Sequence, residues 1–176
     1  MKIMTFVRVF RSKHLSGLGR FFLRIGISAN LMTFIALICG IISAYYLFDN
    51  YYLFLIFGSL HIIGDGLDGV IARVSKETKF GHYLDYLSDR LYSLLLLIKI
   101  SWYLNDYYVY IVIGIFALSH IINLLSDLKL PVFYSRTTMF IILLFSWPVL
   151  AYLIAGVVSL YSLTLQFKEF LTRRLS

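Results

Sequence analysis

Four aspartates, Asp65, Asp68, Asp85 and Asp89, fall within one window of 25 residues in a chain that has nine acidic residues in all. The first two are three positions apart and the last two are four apart, so on a helix each pair shares a face. At membrane depth a carboxylate costs about 2.5–3.5 kcal/mol on insertion scales, and four uncompensated ones cost on the order of 10 kcal/mol. Divalent cations offset that charge, and an all-carboxylate oxygen set selects hard ions such as Mg²⁺ or Mn²⁺ over zinc. One or two such ions could clamp a diphosphate and activate an incoming hydroxyl. The bland alternative is a set of helix-end acids, solvated or paired with Arg73, Lys76, Lys79 and Arg90. Against it, Gly66, Gly69 and Ala72 accompany the first pair, and small residues there leave room for a ligand at the backbone.

The elements that must position these acids are apolar. The chain has 176 residues, 60% hydrophobic and 14% charged, with two prolines, which places it in the membrane class. Its length suits one domain of about six helices at roughly 20 residues each and leaves no room for a separate soluble catalytic domain. The net charge of +7 is spread between apolar runs instead of forming a soluble basic patch, so it reads as membrane topology and no nucleic-acid partner is expected. Cys39 is alone, which excludes a disulfide framework and a cysteine-based zinc site.

Residues 1–28 carry Lys2, Arg8, Arg11, Lys13, Arg20 and Arg24 without an acid, interleaved with aromatic and aliphatic residues. The pattern predicts an amphipathic helix lying in an anionic membrane surface; a transit peptide is the competing reading. Apolar spans follow at Leu31–Phe48, from Tyr51 into Asp65, at Gly81–Leu104 with Lys99 placed to snorkel, and at Tyr107–Ser126. The 31 uncharged residues Thr137–Phe167, with flanks from Val132 to Phe170, hold two helices turning near Ser146-Trp147-Pro148. Six spans put every basic connection and both termini on the cytoplasmic side, whereas five would strand Lys168, Arg173 and Arg174 outside. The expectation is an all-α integral-membrane protein, with residues 1–28 forming a juxtamembrane helix and 29–176 a six-helix transmembrane catalytic domain. It is multi-pass in the cell membrane, with the acids on the cytoplasmic face.

The run Asp65-Gly66-Leu67-Asp68-Gly69-Val70-Ile71-Ala72-Arg73, followed by Gly81-His82-Tyr83-Leu84-Asp85-Tyr86-Leu87-Ser88-Asp89, resembles the signature of the CDP-alcohol phosphotransferases, with all eight defining positions present. Seven residues separate Arg73 from Gly81, a shorter connection than the family usually carries. The resemblance implies that Asp65, Asp68 and Asp85 hold metal, two ions of Mg²⁺ or Mn²⁺, with Asp89 joining them and acting as general base on the acceptor hydroxyl. It makes Gly69, Arg73 and Thr78 nucleotide contacts, and Asn30 and Thr33 a polar pair where the first helix enters the membrane. For Asn30 and Thr33 helix capping is the alternative. The implied partners are a CDP-linked lipid donor, diacylglycerol or archaeol, a small alcohol acceptor, membrane lipid and a second copy of the chain in a homodimer.

Asp89-Arg90 and Tyr134-Ser135-Arg136-Thr137 look more like the inositol-phosphate branch of that family than the glycerol-phosphate branch, although Thr138 and Met139 stand where a second arginine often follows. Arg136 is the only charge between Lys129 and Lys168 and is the expected ligand of an acceptor phosphate; the alternative is an interfacial anchor. His61 and His82 are expected as hydrogen-bonded neighbours, not catalysts, and His120 as a packing residue. A metal-ion transporter would distribute acids across membrane depth, and a prenyltransferase would carry two aspartate-rich motifs on separate helix pairs.

Overall fold

Short polar residues at the edges of the apolar runs set the helix boundaries. The structure, a computed structural model, describes residues 16–75, 78–133 and 135–175, with side chains to residue 172. Of the juxtamembrane helix expected over 1–28, residues 16–24 are helical (α1), and the first fifteen residues lie outside the described ones. Ser28 Oγ accepts from the Leu31 N–H at 3.3 Å and opens α2 (Ala29–Tyr46). Asn50 Oδ1 accepts from the Leu53 N–H at 3.1 Å at the start of α3 (Tyr51–Val74). Thr78 Oγ1 accepts from the Gly81 N–H at 3.0 Å before α4 (Lys79–Leu104), and Asp106 Oδ1 from the Tyr108 N–H at 2.9 Å before α5 (Tyr107–Leu125). Each cap satisfies a backbone donor that the helix itself leaves open. α6 is Arg136–Leu144, and α7, Pro148–Leu175, begins on a proline whose missing N–H costs nothing there.

The described residues are helical with no strand. The long uncharged stretch does turn at 145–147, where Ser146 takes a φ of +56°, but it divides unequally. α6 has 9 residues, about 14 Å, against a hydrocarbon core of about 30 Å, while α7 with 28 is about 42 Å long. Among the described residues four helices are long and apolar enough to cross a membrane: α2, α3, α5 and α7 over Pro148–Thr172. α4 has the length, yet carries Lys79, Asp85, Asp89, Arg90 and Lys99. Only 28–39% of each candidate span is buried, so most of its apolar surface faces outward, as lipid-contacting helices require.

The chain divides into two units, the boundary falling in α4 between Asp89 and Arg90. In the first, α2 packs on α3 through small residues. A Cβ on Gly64 would lie 2.8 Å from that of Ala36, His61 Nδ1 donates to the Ala36 carbonyl at 2.8 Å, and Ser43 Oγ donates to the Phe54 carbonyl at 3.0 Å. Such close, hydrogen-bonded approach is how helices associate where lipid removes the hydrophobic drive. α1 rests on the end of α3: a Cβ on Gly19 would meet Val74 Cγ2 at 2.8 Å and the Val70 carbonyl at 3.0 Å.

In the second unit α7 packs on α5 and α6 with a stripe of Ala151, Ala155, Ser159, Ser162 and Gln166. A Cβ on Gly156 would stand 3.1 Å from Val112 Cγ2, and Tyr152 Oη donates to Asp106 Oδ2 at 3.1 Å. Lys99, expected to snorkel, pairs with Asp49 at 2.5 Å, beside the stacked rings of Phe48 and Tyr103.

Candidate active site

The buried stripe of α3 runs Phe54, Gly58, His61, Gly64, Asp68, Ile71, so Asp68 stands on the face that packs against α2. That register, not the acid spacing alone, makes Asp68 the buried member of the cluster, 5% exposed. Thr33 of α2 meets it there, with Oγ1 2.5 Å from Asp68 Oδ2 and 3.1 Å from the Ala29 carbonyl. A threonine hydroxyl has one proton, and the short charge-assisted bond to the carboxylate claims it. Thr33 thereby fixes the rotation of the Asp68 carboxylate.

Asp65 and Asp85 complete the group: one carboxylate oxygen from each of Asp65, Asp68 and Asp85 lies within 4.8 Å of the others. At an effective dielectric near 20, two full charges at that separation repel by about 3.5 kcal/mol, so the arrangement favours a cation among them. The donors are all oxygen, one of them almost wholly buried, which fits a hard divalent ion. Asp89 lies one turn further along α4, half-buried, and is not one of the three.

Beside the cluster opens a cavity of about 390 Å³, within the range of small-ligand sites. Asp68 and Asp85 line it, together with Asn30, Thr33, Gly69, Arg73 and Thr78. The three expected nucleotide contacts, Gly69, Arg73 and Thr78, and the polar pair Asn30 and Thr33 are thus brought to one chamber with two of the expected metal ligands. Gly69 leaves open space, since a Cβ there would come no nearer than 3.8 Å to Arg73 Nη1 and would project into the cavity. Gly66 faces open space and does not line it.

Asn30 is not the cap of α2; Ser28 is, which leaves the Asn30 side chain for the chamber. It meets α4 where a Cβ on Gly81 would lie 2.6 Å from Asn30 Oδ1 and 3.1 Å from Thr78 Oγ1. Gly81 is the residue that lets the first turn of α4 seat against the start of α2. Thr78, expected as a nucleotide contact, spends its oxygen on capping α4 and keeps its proton to donate. Lys76 and Glu77 of the short connection lie outside the described residues.

His61 is fully buried on the Ala36 carbonyl, His82 lines the chamber, and His120 packs on Phe116 with ring centroids 4.3 Å apart. Leu23 of α1 and Ser28 also line the cavity. The sequence offered a signal for Ser28, a cap residue before an apolar run, and none for Leu23. Arg136 belongs to the second unit as the first residue of α6, and it is 9% exposed.

An all-helical arrangement with four helices long and apolar enough to cross a membrane, and an acid-lined chamber whose clustered carboxylates could hold a cation, fits a protein that handles a polyanionic ligand. The chain belongs to the CDP-alcohol phosphatidyltransferase family, whose model matches residues 26–167. No curated protein matches it. Membership makes the chain a transferase that moves a phosphatidyl-type group from a CDP-alcohol donor to an alcohol acceptor.

Proposed function

We propose that this protein is a metal-dependent phosphatidyltransferase of phospholipid synthesis that takes CDP-diacylglycerol or CDP-archaeol and transfers the phosphatidyl-type group to inositol phosphate, releasing CMP. The observation that carries the reading is the single chamber lined by Asp68, Asp85, Gly69 and Arg73 beside the three clustered carboxylates. Asp65, Asp68 and Asp85 would hold Mg²⁺ or Mn²⁺, with Asp89 contributing to a second ion. Bound there, the metal supplies neutralisation of the diphosphate and stabilisation of the departing CMP.

The residues of the chain do the rest. Thr33 holds Asp68 in one orientation, Gly69 leaves room for the nucleotide, and Arg73 places a guanidinium against its phosphates. Asn30 and Thr78 contact the donor from the starts of α2 and α4. Asp89 takes the proton from the acceptor hydroxyl as its oxygen attacks the β-phosphorus; the bond from that phosphorus to the CMP oxygen breaks, and CMP leaves with the electron pair. Arg136 binds the acceptor's phosphate: it is the one charge between Lys129 and Lys168, and its planar guanidinium suits bidentate capture of a phosphate. The protein works as a homodimer in the cell membrane, with both termini and the chamber on the cytoplasmic side, as the alternation of basic connections supports.

The test offers the purified protein in lipid nanodiscs labelled CDP-diacylglycerol or CDP-archaeol with Mg²⁺ or Mn²⁺. The acceptors are inositol phosphate, glycerol 3-phosphate, free inositol and serine, with the lipid product identified by mass spectrometry. A phosphorylated inositol lipid is expected. Transfer to glycerol 3-phosphate instead moves the protein to the other phosphorylated-acceptor branch. Transfer only to an unphosphorylated alcohol overturns the role given to Arg136.

A further inference from the structure

The connection between α5 and α6 has no helix or strand over residues 126–133, yet side chains from α5 and α7 hold its backbone. Asn123 of α5, 3% exposed, donates to the Leu130 carbonyl. Gln166 of α7, 2% exposed, donates through Nε2 to the Pro131 carbonyl at 3.2 Å and to the Ser119 carbonyl of α5 at 3.0 Å. Ser162, one turn earlier on α7, accepts the Phe133 N–H at 3.0 Å. The connection begins with Asp127 and Leu128 at φ of +55° and +61°, a conformation that non-glycine residues hold only when their surroundings impose it. Three residues after the Phe133 tie, the chain enters α6 with Arg136.

A primary amide buried in an apolar helix is costly unless its groups are used. Here the Nε2 of the Gln166 amide bridges α5 and the connection while its Oε1 is buried without a hydrogen-bond partner, and a serine from the same helix face adds the third tie. The ties stop at the segment that delivers the one charged residue between Lys129 and Lys168. We infer that Gln166, with Asn123 and Ser162, is a positioning clamp that fixes the frame of Arg136, so that its guanidinium meets the acceptor's phosphate in one geometry. The inference rests on the assignment of Arg136 to that phosphate. Bidentate capture tolerates little displacement, so loosening the frame weakens acceptor binding without touching the donor.

The experiment measures acceptor and donor KM for Gln166→Leu, Arg136→Lys and the double variant, with inositol phosphate as acceptor, or glycerol 3-phosphate where that is the one turned over. Gln166→Leu is expected to raise acceptor KM by about three- to ten-fold, the scale of a lost hydrogen bond, with donor KM unchanged. In the Arg136→Lys background Gln166→Leu should add no further rise, because the clamp acts through Arg136. Ser162→Ala, which removes only the Phe133 tie, should give the same pattern more weakly and serves where Gln166→Leu does not fold. If Arg136→Lys raises acceptor KM but neither clamp variant does, or if the effects add in the double variant, the clamp fails and the Arg136 assignment stands. If Arg136→Lys leaves acceptor KM unchanged, or no phosphorylated alcohol is turned over, both fall together.

Discussion

Replacing Thr33 by valine keeps the shape of the side chain and removes one proton. That proton is shared with Asp68 at 2.5 Å, inside the buried face between α2 and α3. A hydrogen bond to a charged group is worth about 1.5–3 kcal/mol, and loss of a partner that orients a metal-binding carboxylate typically costs about 10- to 100-fold in metal affinity. The two figures agree, since each 1.4 kcal/mol is about a factor of ten. Thr33→Val should therefore raise the Mg²⁺ or Mn²⁺ concentration for half-maximal transfer by about 10- to 100-fold, with turnover at saturating metal reduced far less. Thr33→Ser, which restores a hydroxyl, should return most of the loss. The assay is transfer from labelled CDP-diacylglycerol across a metal titration, with direct metal binding followed by calorimetry. A half-saturation within about two-fold of the parent in Thr33→Val, joined to a raised donor KM, would refute the reasoning; Thr33 would then be a donor contact and not the support of Asp68.

Asp65→Asn and Asp85→Asn should each abolish turnover and weaken metal binding together, whereas Asp89→Asn should stop chemistry while donor binding survives; near-normal turnover in Asp89→Asn removes it as the base. Gly81→Ala should raise donor KM several-fold, because its Cβ, 2.6 Å from Asn30 Oδ1, displaces Asn30 from the chamber; an unchanged donor KM in steady-state kinetics counts against Asn30 as a contact. Cysteines introduced as Lys129→Cys and Arg174→Cys, in a background lacking Cys39, should be labelled only from the cytoplasmic side by an impermeant maleimide, and labelling of position 174 from outside favours five spans over six.

The sequence made the acids legible because carboxylates among apolar runs are rare and their three- and four-residue spacings carry a geometric meaning. The caps at Asn50, Thr78 and Asp106 went unread, although a cap residue before an apolar run has a local cause. The turn near Ser146-Trp147-Pro148 was legible through its proline, but the shortness of α6, which begins at Arg136 and has 9 residues, was not, because absence of charge says nothing about where packing lets a helix begin. The pairing of Lys99 was not legible either: its partner Asp49 stands fifty residues away in sequence. The same holds for Thr33 on Asp68 and for Asn30 against Gly81, contacts between helices that no single-helix pattern contains.

The acids Asp65 to Asp89 are held by two consecutive helices and a connection of a few residues, in a unit otherwise built from earlier parts of the chain. During synthesis from the N-terminus, everything that unit needs has therefore been made before α5 begins. Closing a loop this short carries a small entropic cost, and contacts so near in sequence form early. If the clustered carboxylates hold cations as proposed, the most charged part of the molecule could take them up while the later helices are still being made, without waiting for the rest of the chain to arrive.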